Sequence, residues 1–257
     1  MRSRMLAAVI WSACLVTAAY GQEADSTQRS LDWIGGHCLP ISDGYGDAPG
    51  IQRHCKVNES GRVGVVGQTE VFYATYQRLV AWPELELSLA DTAGTAFNAG
   101  PYNNTAVAVF HGIPGDSLVR PVWAEMNDGW LGVSWYEPPR LLTTPAGIVM
   151  LIPLRFSGTG SLNDDRYFLW LESAWQRLDT SSWSKELSRR LPADHGVWKG
   201  VVLDLENMRA ESPVWRTDRD GNCCPTGGHV TVEFRLDGDR LVIDRAEHVP
   251  AGLDANP

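Results

Sequence analysis

The segment of residues 147–156, GIVMLIPLRF, constrains the fold of this chain more than any other. A strand with one face in water alternates apolar and polar side chains, because successive side chains point to opposite sides of a sheet. Here the apolar residues are almost uninterrupted. This pattern therefore predicts a strand that is buried in the centre of the molecule.

Shorter segments with strand signals recur along the rest of the chain, separated by turn-forming residues. Residues 84–89, for example, alternate leucine with polar residues. Asn127-Asp128-Gly129 and Asp237-Gly238-Asp239 are typical of hairpin turns. Besides 147–156, the predicted strands are 63–66, 70–79, 84–89, 106–110, 118–126, 130–135, 166–172, 175–178, 197–205, 214–216, 228–236 and 240–243.

One segment, residues 180–191, carries clear helix signals. A residue at 179–181 can cap its start, Trp183 and Leu187 are four residues apart, and Pro192 ends it. Residues 26–33 form either a short helix or an extended lead-in. The expected fold class is mainly β (α+β), with antiparallel sheets that form a sandwich or barrel-like domain and one clear helix near 180–191.

The first 21 residues have the pattern of a secretory signal peptide. Arg2 and Arg4 precede an apolar stretch that is too short to span a bilayer comfortably, and Ala19 and Gly21 place small residues at the cleavage site. The alternative is an uncleaved membrane anchor. We expect residues 22–257 to form one exported β-rich domain, periplasmic or secreted. Two tandem β units that meet near residues 145–160 are the alternative organisation.

The formal net charge is −9, and loss of the two N-terminal arginines would make it more negative. An acidic surface repels phosphate backbones, so nucleic acid is not an expected partner. No stretch after the signal peptide is long and apolar enough to cross a membrane. The expected partner is a protein or glycan ligand whose identity stays open.

Signal cleavage would leave four cysteines, Cys38, Cys55, Cys223 and Cys224, and an even count in an oxidising compartment indicates disulfides. A bond between adjacent cysteines is strained, because neighbouring Cα atoms are about 3.8 Å apart and disulfides prefer roughly 4.4–6.8 Å. We therefore expect a double clamp, in which Cys38 and Cys55 each bond one residue of the adjacent pair. The alternative is a Cys38–Cys55 bond, with the adjacent pair left as thiols or as a strained bridge.

The loop at residues 218–229 has features of two metal sites, and both are incomplete. It begins like a calcium loop, yet Cys223 and His229 stand where such a loop needs glycine and glutamate. Zinc ligation by Cys223, Cys224 and His229 would need wider cysteine spacing. A turn explains this composition, so no metal and no cofactor is expected.

Two further patterns raise the question of catalysis or ligand binding. Ser182 and Lys185 match S-x-x-K, in which a lysine activates a serine nucleophile. No K-T-G follows, so a solvated helix face is the favoured interpretation. Asn163-Asp164-Asp165 offers carboxylates that could bind a cation or a sugar hydroxyl, although a turn is the favoured role.

Paired acids form another candidate site. Glu84 with Glu86, and Asp204 with Glu206, are two residues apart on predicted strands and would point the same way. Glycoside hydrolysis uses two such carboxylates, given a cleft between them. Solvated acids are nevertheless the commoner case on an acidic protein, so the catalytic residues stay unassigned.

Tryptophan is the one compositional excess, with eleven residues in the chain. A Trp on a strand fills a β core, whereas an exposed Trp can stack on a sugar ring or anchor a protein partner. We expect most of them in the core and one or two at a surface site. The ten outside the signal peptide are Trp33, Trp82, Trp123, Trp130, Trp135, Trp170, Trp175, Trp183, Trp198 and Trp215.

Part of the C-terminal half resembles a group of uncharacterised bacterial exported proteins. The most specific match is Asn222-Cys223-Cys224-Pro225-Thr226-Gly227-Gly228, which precedes a strand pair with an Asp-Gly turn. The same group is matched by residues 158–163, the segment with Trp175 and Trp183, and residues 191–192 and 198–200. The resemblance covers less than half of the chain. It implies export and a β fold, and it carries no known activity.

These observations favour an exported, disulfide-stabilised β-rich protein that is a non-catalytic binding or structural module. The signal peptide, the paired cysteines and the lack of a complete catalytic motif support this interpretation. The alternative is an exported hydrolase, acting on glycans, that uses strand carboxylates such as Asp204 and Glu206 beside surface tryptophans.

Overall fold

The structure is a computed structural model that describes residues 28–37, 55–78, 105–127, 134–156, 164–221 and 223–252. It is mostly β, with several antiparallel sheets, which confirms the predicted fold class. The predicted strand at 84–89 lies outside the described residues. Among the helices of the described ranges, none has the length and apolar character needed to cross a membrane.

A first sheet contains five antiparallel strands, β1 (Arg29–Ser30), β2 (Cys55–Val66), β3 (Thr69–Arg78), β4 (Thr105–Gly112) and β5 (Leu118–Asn127). Their spatial order is β1-β5-β4-β3-β2. Helix α1 (Leu31–Gly36) follows β1 directly, and the Trp33 N–H donates to the Ser30 hydroxyl at its start, at 3.1 Å. Its Ile34 packs on one face of the sheet, against Phe110 and Val119 among others. Of the predicted segment 26–33, the described part contains both an extended lead-in, at residues 29–30, and the start of a helix, whereas residues 26 and 27 lie outside the described residues.

A middle sheet has the order β11-β10-β8-β7, and the two-stranded ladder β6–β9 is formed from the same part of the chain. The strands are β6 (Ser134–Tyr136), β7 (Arg140–Thr144), β8 (Gly147–Ile152), β9 (Leu154–Phe156), β10 (Arg166–Leu171) and β11 (Ala174–Arg177). The predicted strand 147–156 is thus divided at Pro153. Proline lacks the N–H that a continuous ladder needs, so the chain leaves the middle sheet there.

The middle sheet is covered on both faces, which explains the apolar run in β8. Val149 and Leu151 belong to one hydrophobic core, which we call the C-terminal core. Met150 and Ile152 belong to a second, the central core, which is shared with the first sheet. The prediction of a buried central strand is confirmed for β8.

A C-terminal sheet follows with the order β13-β14-β16-β17, and β12 pairs separately with β15. The elements are α2 (Trp183–Arg190), β12 (His195–Gly196), β13 (Val202–Asp204), β14 (Arg209–Pro213), β15 (Trp215–Arg216), β16 (His229–Asp237) and β17 (Arg240–Val249). The predicted strand 197–205 is wrong in its first half. Gly200 there has φ +78°, a left-handed conformation that interrupts an extended chain.

Helix α2 packs with the C-terminal sheet and the middle sheet in the C-terminal core. Trp183 and Leu187 are buried, and the Trp183 ring meets Phe234 edge-on, with centroids 5.3 Å apart. The helix occupies residues 183–190 of the predicted 180–191. At the end of this sheet, Asp237 pairs with Arg240 and Gly238 has φ +66°, so the predicted hairpin turn is confirmed.

An ion pair also ties the first sheet to the middle sheet. Arg166 of β10 donates from Nε to Glu125 of β5 at 2.8 Å, and the Tyr136 hydroxyl donates to the same carboxylate at 3.2 Å. Burial, and then the Glu125 charge, raises the pKa of Tyr136. Arg166, Tyr136 and Glu125 are hydrogen-bond partners of one another, so we assign them a structural role.

Candidate functional site

A pocket of about 370 Å³ lies between α2 and residues 197–200, which precede β13. Its volume falls in the ~300–1,000 Å³ range of small-molecule sites. Asp164, just before β10, also lines it. The polar and exposed aromatic lining residues are Asp164, Ser181, Ser184, Lys185, Ser188, Trp198 and Lys199.

A cap and a buried face hold α2 in place at this pocket. The Asp179 carboxylate accepts hydrogen bonds from the backbone N–H groups of Ser181 and Ser182, at 2.9 and 3.0 Å. Ser182 already has helical backbone angles, with φ −61° and ψ −31°, so the helical turn begins before Trp183, and these N–H groups are donors that a helix start leaves without an intrahelical partner. Burial alone would raise its pKa, but these bonds outweigh burial and lower the pKa of Asp179 to about 2. Trp183 and Leu187 anchor the helix in the C-terminal core.

Two of the three lysines in the chain line this pocket. Lys185 lies in the first turn of α2, and Lys199 lies in the facing segment. Among the described residues, no carboxylate is within ion-pair distance of either ammonium group, and the neighbouring Glu186 pairs with Arg190 instead. A cation in the first turn also opposes the helix dipole. Helix stability therefore does not account for Lys185.

Trp198 supplies a supported aromatic surface in the pocket. Its side chain is 44% exposed, and its ring stacks on Trp215 with centroids 6.2 Å apart and an angle of 16° between the planes. Trp215 belongs to β15 and is only 3% exposed, so it is a rigid base. Gly196 leaves room for the indole, because a Cβ there would lie 3.3 Å from Trp198 Nε1. One indole face is therefore covered and the other is available.

The pocket serines donate their hydroxyl protons within their own helix region. Ser184 Oγ donates to the Ser181 carbonyl at 2.8 Å, and Ser188 Oγ donates to the Ser184 carbonyl at 3.0 Å. Ser181 Oγ donates to Asp179 at 3.0 Å. These hydroxyls consequently present only acceptor lone pairs to a ligand. Ser182, the serine of the S-x-x-K pattern, does not line the pocket.

The adjacent cysteines are bonded to each other in the structure. This pairing differs from the expected double clamp to Cys38 and Cys55 and agrees with the alternative, in which the adjacent pair forms a bridge of its own. Cys38 lies outside the described residues, and Cys55 is the first residue of β2. Because a vicinal bond closes no chain segment beyond one peptide unit, it removes little entropy from the unfolded chain. It therefore shapes its loop and adds little to global stability.

The calcium-like part of this loop is organised by its own hydrogen bonds. The Asp220 carboxylate accepts from the backbone N–H groups of Arg216 and Thr226, both at 2.7 Å, and from the Thr226 hydroxyl at 2.6 Å. Its lone pairs are thus occupied by loop donors. No group of three metal-ligating side chains is present in the described part of the chain.

The predicted pair of Asp204 and Glu206 does not form a catalytic pair in the structure. Asp204 ends β13, whereas Glu206 lies in the following turn, so the two side chains do not share a strand face. Asp204 instead accepts hydrogen bonds from the Asn207 backbone N–H and side chain, at 3.1 and 2.7 Å. Neither acid lines the pocket. Glu84 and Glu86 lie outside the described residues.

The tryptophans divide mainly as expected between core and surface. Trp123, Trp183 and Trp215 are buried, whereas Trp135 and Trp198 are about half exposed, at 43% and 44%. Trp82 and Trp130 lie outside the described residues. Of the predicted turn at 163–165, residue 163 lies outside the described residues; Asp165 holds the chain at β9, because its carboxylate accepts from the Leu154 backbone N–H at 3.0 Å.

Lys199 and Ser188 line the pocket although no catalytic or binding motif includes them. Apart from its place in the matching segment 198–200, the sequence signal of Lys199 is the scarcity of lysine in a chain that relies on arginine for most of its positive charge. No protein-family model, no curated protein and no solved structure matches this chain.

Proposed function

We propose that the protein is an exported, non-catalytic binding module whose pocket takes a small organic anion with an apolar face. The observation that carries this proposal is that Lys185 and Lys199 line one pocket together with Trp198, and that neither lysine has a carboxylate partner among the described residues. An anion would pair with both ammonium groups, and its apolar face would cover the indole.

Charge supports this assignment. The chain has 31 acidic residues against 22 lysines and arginines, so most of its surface repels anions. A pocket with two lysines is therefore a local exception. A hydrogen bond to a charged group contributes about 1.5–3 kcal/mol, so two of them correspond to millimolar affinity or tighter.

The serines support binding in preference to acyl transfer. A serine nucleophile needs its hydroxyl proton directed at a base. Ser184 and Ser188 direct theirs at backbone carbonyls, and Ser181 directs its own at the Asp179 cap. The hydroxyls are thus arranged as fixed acceptors.

Titration at low salt tests this function. We would follow the Trp indole N–H signals by NMR while adding sodium benzoate and, separately, sodium D-galacturonate. The expected result is a saturable shift of the Trp198 signal with at least one of the two anions, weakening as salt is added. Substituting both pocket lysines, Lys185→Met and Lys199→Met, should abolish it.

Lys56→Met is the matched control. It removes the third lysine of the chain, an exposed residue of β2 that does not line the pocket. Binding should be unchanged in this variant. If neither anion produced a saturable shift, or if Lys56→Met weakened binding as much as the pocket variants do, the proposal would be wrong.

A further inference from the structure

We infer that the ligand of this pocket is an acidic sugar, a pyranose ring that carries one carboxylate and several hydroxyl groups. This inference rests on the proposed function, because it assigns a ligand class to the same pocket. It comes from three kinds of surface that meet there: two cationic donors, a supported indole face and a set of acceptor-only oxygens.

The pocket oxygens that can only accept hydrogen bonds restrict the ligand class most. The Ser184 and Ser188 hydroxyls each donate a hydrogen bond to a backbone carbonyl, so their lone pairs can only accept from a ligand. Asp164, which lies next to Arg166 in charge contact, also lines the pocket, and its carboxylate can only accept hydrogen bonds. Only a ligand with its own O–H or N–H donors can use these oxygens.

The two lysines and the Trp198 indole further restrict the class of ligand. Lys185 and Lys199 offer ammonium groups that have no carboxylate partner among the described residues, and an anionic group on the ligand would supply one. The half-exposed indole of Trp198 is flat and apolar, and the C–H face of a sugar ring can cover it.

Simpler ligands leave one of these surfaces unused. A neutral sugar provides hydroxyl donors and a face but no charge for the lysines. An aromatic carboxylate provides charge and a face but no donors for the serine and aspartate oxygens. Inorganic phosphate pairs with the lysines and leaves the indole uncovered. An acidic sugar matches all three surfaces in one molecule.

Isothermal titration at one low ionic strength separates these ligands. The probes are D-galacturonate, D-galactose, benzoate and inorganic phosphate, together with the trimer of galacturonic acid. We expect D-galacturonate to bind at least about 10-fold more tightly than galactose, benzoate or phosphate. Tighter binding of the trimer than of the monomer would identify a polysaccharide segment as the source of the sugar. Equal or weaker binding would identify the free sugar acid.

Two serine variants test the acceptor argument directly. Ser184→Ala and Ser188→Ala should each weaken galacturonate binding about 3- to 10-fold and leave benzoate binding unchanged. Alanine is the best helix former, so these substitutions do not threaten α2. Ser182→Ala is the control, because Ser182 is exposed on the same helix start and does not line the pocket.

The outcomes distinguish this inference from the proposed function. If benzoate or phosphate bound as tightly as galacturonate, or if the serine variants weakened both ligands equally, the pocket would be a general anion site and the sugar assignment would be wrong. If galactose matched galacturonate, the lysine argument would fail for both proposals. If no probe bound, the proposed function itself would be wrong.

Discussion

Removing the cap of α2 should destabilise the protein by about 1 kcal/mol at neutral pH. The perturbation is Asp179→Ala, which deletes the acceptor of the Ser181 and Ser182 N–H groups. Loss of an N-cap costs roughly 0.5–2 kcal/mol. The drop in the pKa of Asp179 from 3.8 to about 2 sets an upper value of about 2 kcal/mol. Solvent screening of this partly exposed carboxylate reduces that value. The typical cost of a lost N-cap and the pKa shift therefore both give a loss of about 1 kcal/mol.

The same effect carries a defined pH dependence. The pKa of Asp179 is lower in the folded state, so the charged form stabilises the fold. This contribution is complete above the unfolded value of 3.8 and is lost as the pH falls through about 2. The stability difference between wild type and Asp179→Ala should therefore be constant between about pH 7 and 5 and shrink below about pH 4.

Urea unfolding followed by circular dichroism at several pH values would measure this difference. Asp179→Asn retains a capping oxygen without the charge and should lose less than the alanine variant. Glu206→Ala, which removes an exposed carboxylate outside the helix, is the control and should change stability little. A difference that stayed constant to about pH 2, or an equal loss in Glu206→Ala, would refute the assignment of Asp179 as the cap.

Three further predictions concern the scaffold. Gly228→Ala should lower the free energy of unfolding by about 3 kcal/mol in thermal or urea unfolding, because Gly228 has φ +94° and a Cβ would overlap the Val249 carbonyl oxygen. Gly115→Ala is the control: Gly115 has φ +84° but lies in open space, so the loss should be only about 1 kcal/mol. Glu125→Gln should cost about 2 kcal/mol by the same assay, since it leaves the half-buried Arg166 without its charged partner, and a loss near zero would contradict this role. A non-reducing peptide map should show Cys223–Cys224 as an internal bond, and a cross-link to another cysteine would contradict the structure.

Strands with a distinctive pattern of apolar residues could be predicted from the sequence. β8 was predictable because both of its faces are buried, which leaves a run of apolar residues. β14, Arg209–Pro213, was missed because only two of its five residues are buried and its sequence RAESP is mostly polar. It is a strand because β13 and β16 pair with it on either side, and such pairing overrides weak local preference.

The pocket could be predicted only in pieces. Lys185 was noticed within S-x-x-K, Trp198 within the tryptophan excess, and Asp164 as a carboxylate for a sugar hydroxyl. Each of these signals is local, whereas the pocket brings together residues from 164 to 200 by tertiary packing. The Asp204–Glu206 pairing failed because Leu205 begins a turn, and turn geometry ends the two-residue period of a strand.

The position of β8 between two cores also changes how its register is specified. In most sheets a slip of one residue moves apolar side chains into water, and this penalty fixes the register. In β8 the same slip would exchange Val149 and Leu151 with Met150 and Ile152, and all four would stay buried. Shape complementarity in each core must then distinguish the registers. Pro153 and the Asp165–Leu154 hydrogen bond also help to fix the register, because they set the residue at which β8 ends.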